Sequence, residues 1–164
     1  VPKAGDTFAF RLTCTEWLSG RVLLDVREQC IKPRRVTPDS RLAFFNATFL
    51  VEIYATPTAR PEVDAGRILV PSLFVNTGGF RGTWEVLGNV AVDPAQVDFP
   101  PVLAMRGVKP HLNWGELLIT LTSTEGADEL RIFGTVHGSG LIPATCMVAL
   151  GRGAELDPTD YKNP

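Results

Sequence analysis

Residues 44–55 alternate with a period of two. Phe45, Ala47, Phe49, Val51, Ile53 and Ala55 fall on one face of an extended chain. Phe44, Asn46, Thr48, Leu50, Glu52 and Tyr54 fall on the other. Side chains of a strand point alternately to its two faces, whereas a helix repeats about every 3.6 residues. One wholly apolar face beside a mixed one predicts a long, half-buried strand, bent near its middle. The same period recurs at 117–122, where Leu117, Ile119 and Leu121 alternate with Leu118, Thr120 and Thr122. It recurs again at 130–136, where Leu130, Ile132, Gly134 and Val136 alternate with Arg131, Phe133 and Thr135. Further strands are predicted over 7–13, 21–26, 67–75, 83–90 and 145–150, with a short piece at 102–105.

What separates these segments is turn chemistry. The 15 Gly and 13 Pro make 28 of 164 residues, about 17% against a usual sum near 12%. Their clusters punctuate the alternation at Thr56-Pro57, Asn76-Thr77-Gly78-Gly79, Asp93-Pro94, Phe99-Pro100-Pro101, Glu125-Gly126 and Gly138-Ser139-Gly140. The glycines at 78 and 79 suggest a loop that needs positive φ. Helical expectations are confined to single turns. Asp93 caps one, with Pro94 at its first position, and 60–64 could form another. Many short strands with almost no helix argue a sandwich or barrel. The length fits one domain, with a core over about 7–150 and an extended, surface-lying tail over 151–164. Apolar content of 45% with 21% charged residues excludes a disordered chain. No apolar run approaches the ~18 residues of a membrane-spanning helix.

Chemistry is sparse. A net charge of −2 does not suit a dedicated nucleic-acid binder, whose affinity comes mainly from counterion release. The only basic cluster is Lys32-Pro33-Arg34-Arg35, in a loop between two expected strands. Lys32, Arg34 and Arg35 are therefore the candidate phosphate contacts. Cys14, Cys30 and Cys146 are odd in number and lack the spacing of a metal knuckle. They are expected to be small, mostly buried apolar residues. His111 and His137 form no ligand motif. Ser139 lacks the flanking pattern of a nucleophile elbow. Glu16, Asp25, Glu28, Glu52, Glu85 and Glu116 lie on or beside expected strands, where two acids sharing a sheet face could act as a glycosidase pair. Their positions single out no pair, and solvated surface is the simpler reading. No enzymatic activity, cofactor or metal is expected.

The order of segments carries a resemblance. Glu16-Trp17-Leu18-Ser19-Gly20-Arg21-Val22-Leu23-Leu24 is followed by the basic, Pro-containing loop and then by the 44–55 strand. Ala65-Gly66-Arg67-Ile68-Leu69-Val70-Pro71, Trp84-Glu85-Val86-Leu87, 117–122 and 130–136 follow in turn. This pattern resembles the eight-stranded jelly roll of icosahedral picorna-like virus capsids. The plant comovirus, nepovirus and cheravirus group is the nearest in strand order and spacing. The resemblance spans roughly 7–150 and rests on no invariant motif. Many plant capsid proteins carry a basic N-terminal arm, whereas this chain starts Val-Pro-Lys-Ala-Gly. Members cut from polyproteins often lack that arm, and a start at Val1 fits such a cut.

The resemblance implies an all-β, eight-stranded antiparallel jelly-roll sandwich with long loops and little helix. It implies a structural subunit of a virion that encloses single-stranded RNA. Its partners would be copies of itself and other capsid proteins, with no membrane. Lys32, Arg34 and Arg35 would be the candidate RNA-facing residues. Apolar loop segments such as Val97-Asp98-Phe99-Pro100-Pro101-Val102-Leu103 suit contact with neighbouring subunits. The alternative is a secreted β-sandwich carbohydrate-binding module, with Trp17, Trp84 and Trp114 as an exposed aromatic platform. A cupin-like enzyme is a third reading, and the two well-separated histidines suit it poorly.

Overall fold

The computed structural model describes residues 2–80, 84–106, 109–114, 117–120 and 138–156. These form a β-rich chain with few helices, compatible with the all-β expectation. One sheet contains β1 (Asp6–Arg11), β2 (Trp17–Asp25), β3 (Thr48–Tyr54), β4 (Ile68–Asn76) and β5 (Trp84–Asn89). Its spatial order is β4-β3-β2-β1-β5, and every pairing is antiparallel. The chain thus runs as a four-strand meander, after which β5 returns to lie beside β1. A second sheet has the order β6-β7-β8, from Pro101–Arg106, Lys109–Trp114 and Leu117–Thr120.

Both faces of the first sheet are covered at its centre. On one face Phe8, Phe10, Leu18, Val22, Phe49, Val51, Ile53, Leu73 and Val75 form a continuous buried cluster. Trp84 stacks on Phe8 and Phe10, with ring centroids 4.4 and 5.1 Å away. The only α-helix among the described residues, α1 (Ile142–Ala149), adds Ile142, Cys146 and Met147 to this cluster. On the opposite face Val26, Leu42, Phe45, Leu50 and Phe74 form a second cluster, backed by Val92, Val97 and Phe99. A β-bulge divides the strands between the two. Val22 pairs with Val51, but Leu24 pairs with Leu50, because the register slips by one residue between them. Such a slip reverses side-chain facing, so Leu24 joins the second cluster.

Two expectations change. The 44–55 strand begins only at Thr48, because Arg41–Phe45 is a 3₁₀ helix capped by the Ser40 hydroxyl, which accepts from the Leu42 amide at 3.1 Å. This turn folds Phe45 onto Phe74, centroids 4.2 Å apart, and helps bury what was expected to be the wetter face of β3. All seven residues of β3 are buried, so it is not a half-buried strand. Residues 145–150 are not a strand but lie mostly in α1. Pro143 starts the helix, the Thr145 hydroxyl donates back to the Leu141 carbonyl at 3.0 Å, and burial at 142, 145 and 146 follows helical spacing. Within the segment expected as a surface-lying tail, the described part contains a short 3₁₀ turn at Gly153–Glu155, with Leu156 packed on the first cluster. Residues 157–164 and the expected strand at 130–136 lie outside the described residues.

Other details vary in their agreement. Pro94–Gln96 is a 3₁₀ turn, with the Asp93 carboxylate accepting from the Ala95 amide at 3.0 Å. Residues 60–64 take no helical turn. Gly78 does not adopt positive φ; its amide donates instead to the Asn76 side chain at 2.8 Å. Close approach explains a glycine at position 20, where a Cβ would collide with the Glu52 carbonyl oxygen and sit 2.7 Å from Phe8.

Candidate functional site: a basic loop on a π-helical turn

The basic loop emerges from the end of β2. Asp25 closes that strand, and its buried carboxylate accepts from the Glu28 amide at 3.0 Å. The Gln29 side-chain carbonyl accepts from the Asp25 amide at 2.8 Å. These two bonds turn the chain into a π-helix over Arg27–Ile31. Single π turns are uncommon and are frequently found at functional sites. Backbone bonds then carry the chain outward, from the Lys32 amide to the Arg27 carbonyl, from Arg34 to Ile31 and from Arg35 to Cys30. Arg34 sits at φ 57°, a left-handed conformation that non-glycine residues rarely take.

Lys32, Arg34 and Arg35 are all exposed, and the structure brings them together on one loop. They are not equivalent. Lys32 is paired with Glu28 at 2.6 Å, so its charge is partly offset. Among the described residues no carboxylate forms an ion pair with Arg34, Arg35 or Arg27. Arg27 is a fourth cation of the patch that reading along the chain missed. Four residues of sequence separate it from the cluster, and the helical turn carries both. Burial pushes the Cys30 thiol up, against the opposing pull of Arg35. The arrangement can attract a polyanion.

Among the described residues the candidate acids do not converge into a site. Glu52 is buried in β3, where Arg21 donates to it at 2.8 Å and Tyr54 at 2.9 Å. Burial and that hydrogen bond push the Tyr54 hydroxyl up to about 12, so it stays neutral. Glu16 is held below the usual carboxylate range by the Arg152 guanidinium, which grips both its oxygens at 3.1 and 2.9 Å. The same arginine also lowers Glu155. Glu28 pairs with Lys32, Glu85 lies exposed on β5, and Glu116 falls outside the described residues. Among the described residues no three His, Cys, Asp or Glu side chains cluster closely enough to hold a metal ion.

The aromatic platform is not formed. Trp17 is buried beneath the Arg11 guanidinium, which lies 4.5 Å from its ring centroid, and Trp84 is buried against Phe8 and Phe10. A carbohydrate surface built on at least two exposed, coplanar tryptophans therefore fails. The cysteines are all free, but they are not all buried. Cys14 is exposed, Cys30 half-buried and Cys146 buried.

Strand β5 is the second surface feature. Val86 is 52% exposed, Leu87 38% and Val90, just past its end, 54%. Val86 and Leu87 are consecutive, so both faces of the strand carry apolar side chains into solvent. Ile68 does the same at the opposite edge of the sheet. Comparison with known protein families, with curated proteins and with solved structures gave no match.

Proposed function

We propose that this chain is a structural subunit of an icosahedral capsid that encloses single-stranded RNA, and that it is not an enzyme. The observation that carries the reading is the exposed apolar surface of β5. Isolated apolar residues on a surface are ordinary, but a run exposed on both faces of one edge strand suits a surface meant for neighbours. Interfaces between permanent subunits are more apolar than ordinary surface. A five-stranded antiparallel sheet is the kind of layer from which a jelly-roll sandwich is built. The near-neutral charge of −2 limits self-repulsion between copies.

Within this reading the Arg27–Arg35 protrusion faces the RNA. With Lys32 partly offset by Glu28, it supplies about three unpaired charges, so the chain acts mainly as a wall around its contents. Electron microscopy of the native source tests the assignment. Closed particles built from this chain support it, and a preparation without particles refutes it. An Arg34→Ala/Arg35→Ala double variant should assemble normally and package less RNA, which the ratio of absorbance at 260 to 280 nm reads directly.

A further inference from the structure

A cavity of about 150 Å³, partly open to solvent, lies on the second face of the sheet. Four parts of the chain build it. Ala4 comes from the segment before β1, Leu23 and Leu24 from the end of β2, Gln29 from the π-helical turn, and Val92, Val97 and Phe99 from the connection after β5. The Arg21–Glu52–Tyr54 cluster does not line it, and of the Arg27–Arg35 protrusion only Gln29 does.

The lining side chains are apolar apart from one amide. Gln29 is fixed by its own carbonyl, which accepts from the Asp25 amide at 2.8 Å. That bond commits the oxygen and leaves the NH₂ group to donate. Among the described residues no acceptor pairs with it. No charged side chain lines the cavity, so a charged guest would lose hydration without compensation. A space of about this volume accepts guests the size of benzene. A single donor in an apolar wall orients a guest and discriminates for an acceptor.

We propose that this cavity binds small neutral molecules built on one six-membered ring and bearing one hydrogen-bond acceptor, such as a ketone oxygen, that meets the Gln29 amide. The guest fills the wedge between the end of β2 and the 92–99 connection. Binding therefore fastens that connection to the sheet and stabilises the folded chain by mass action. This inference does not depend on whether the chain assembles.

Titration of the full chain with cyclohexanone, methylcyclohexane and cyclohexanecarboxylate, followed by ¹H–¹⁵N NMR, tests it. Cyclohexanone should shift the Gln29 side-chain amide and the backbone amides of Leu24 and Val97. It should bind about five- to tenfold more tightly than methylcyclohexane, the worth of one modest hydrogen bond. Cyclohexanecarboxylate should shift neither set. Gln29→Glu keeps the acceptor for the Asp25 amide and removes the donor. It should bring cyclohexanone down to the hydrocarbon's affinity or below, with methylcyclohexane unchanged. Val97→Phe fills the space and should abolish both. The proposal is overturned if no neutral probe shifts these amides, if the carboxylate binds as well as the ketone, or if Gln29→Glu leaves the ketone's preference intact.

Discussion

Strands β3 and β5 belong to one sheet and lead opposite lives. Every residue of β3 is buried, including Glu52, whereas β5 is exposed from Glu85 to Asn89 after a buried Trp84. Their sequences do not differ in kind, since both are short runs with apolar residues on two faces. The difference is position. β3 lies between β2 and β4, with one cluster on each face, while β5 ends the sheet and has only β1 beside it among the described residues. Apolar content therefore states how much surface wants cover. Topology decides whether the chain covers it itself or leaves it for another molecule.

The largest expected effect lies at the centre of the sheet. Phe49→Ala should cost about 3–5 kcal/mol in chemical denaturation, as large-to-small changes in packed cores do. A loss below about 1 kcal/mol would mean that β3 is not the packed centre described here. Gly20→Ala comes next. Its Cβ would strike the Glu52 carbonyl across the β2–β3 pair and the Phe8 ring beneath, and overpacking of this kind costs about 1–3 kcal/mol. The same denaturation measurement should show it, and an unchanged midpoint would contradict the close approach.

A smaller, pH-dependent effect belongs to the Arg152–Glu16 clamp. The folded chain holds the Glu16 pKa below its ordinary value, through the Arg152 hydrogen bonds first. The clamp's contribution is therefore present above the ordinary carboxylate range and is lost as pH falls through the lowered value. Arg152→Met should remove that component. The variant's deficit relative to wild type should be larger at neutral pH than at about pH 3 in urea melts. A deficit independent of pH would assign Arg152 to packing alone.

The smallest effect on the isolated chain, and the sharpest contrast with β3, is expected at Leu87. Leu87→Glu should change folding stability by no more than about 0.5 kcal/mol, as exposed sites usually do. It should nevertheless reduce assembly into particles, read by the fraction of chain in the particle peak of a sucrose gradient. Unimpaired assembly would show that this part of β5 touches no neighbour.

Much of the first sheet was legible in the sequence. The expected strands at 7–13, 21–26, 67–75 and 83–90 begin or end within a few residues of β1, β2, β4 and β5. Period-two alternation reports backbone extension directly, which is why these segments were readable. Two errors share one cause. At 44–47 and 145–150 a short apolar run has no period of its own, so strand and helix look alike. The deciding signals were local, Ser40 as a cap before the 3₁₀ turn and Pro143 at the start of α1. The strand at Lys109–Trp114 was missed because Pro110 and the polar His111 and Asn113 hide its alternation.

The candidate site was less legible. Lys32, Arg34 and Arg35 stand out as a charge run, but Arg27 joins them only through a π turn that the Asp25 and Gln29 side chains create. The pairing of Arg21 with Glu52 depends on the β2–β3 register, which neither residue announces. Burial of Trp17 and Trp84 likewise follows from what stacks on them, not from their own neighbours in sequence.

Sedimentation velocity on a preparation from the native source is the most direct test of the central claim, that the uncovered apolar surface of β5 is completed by neighbouring subunits in a shell. The claim predicts that the chain travels in a fast boundary of very large particles. A single slow boundary of isolated chains at micromolar concentration would contradict it.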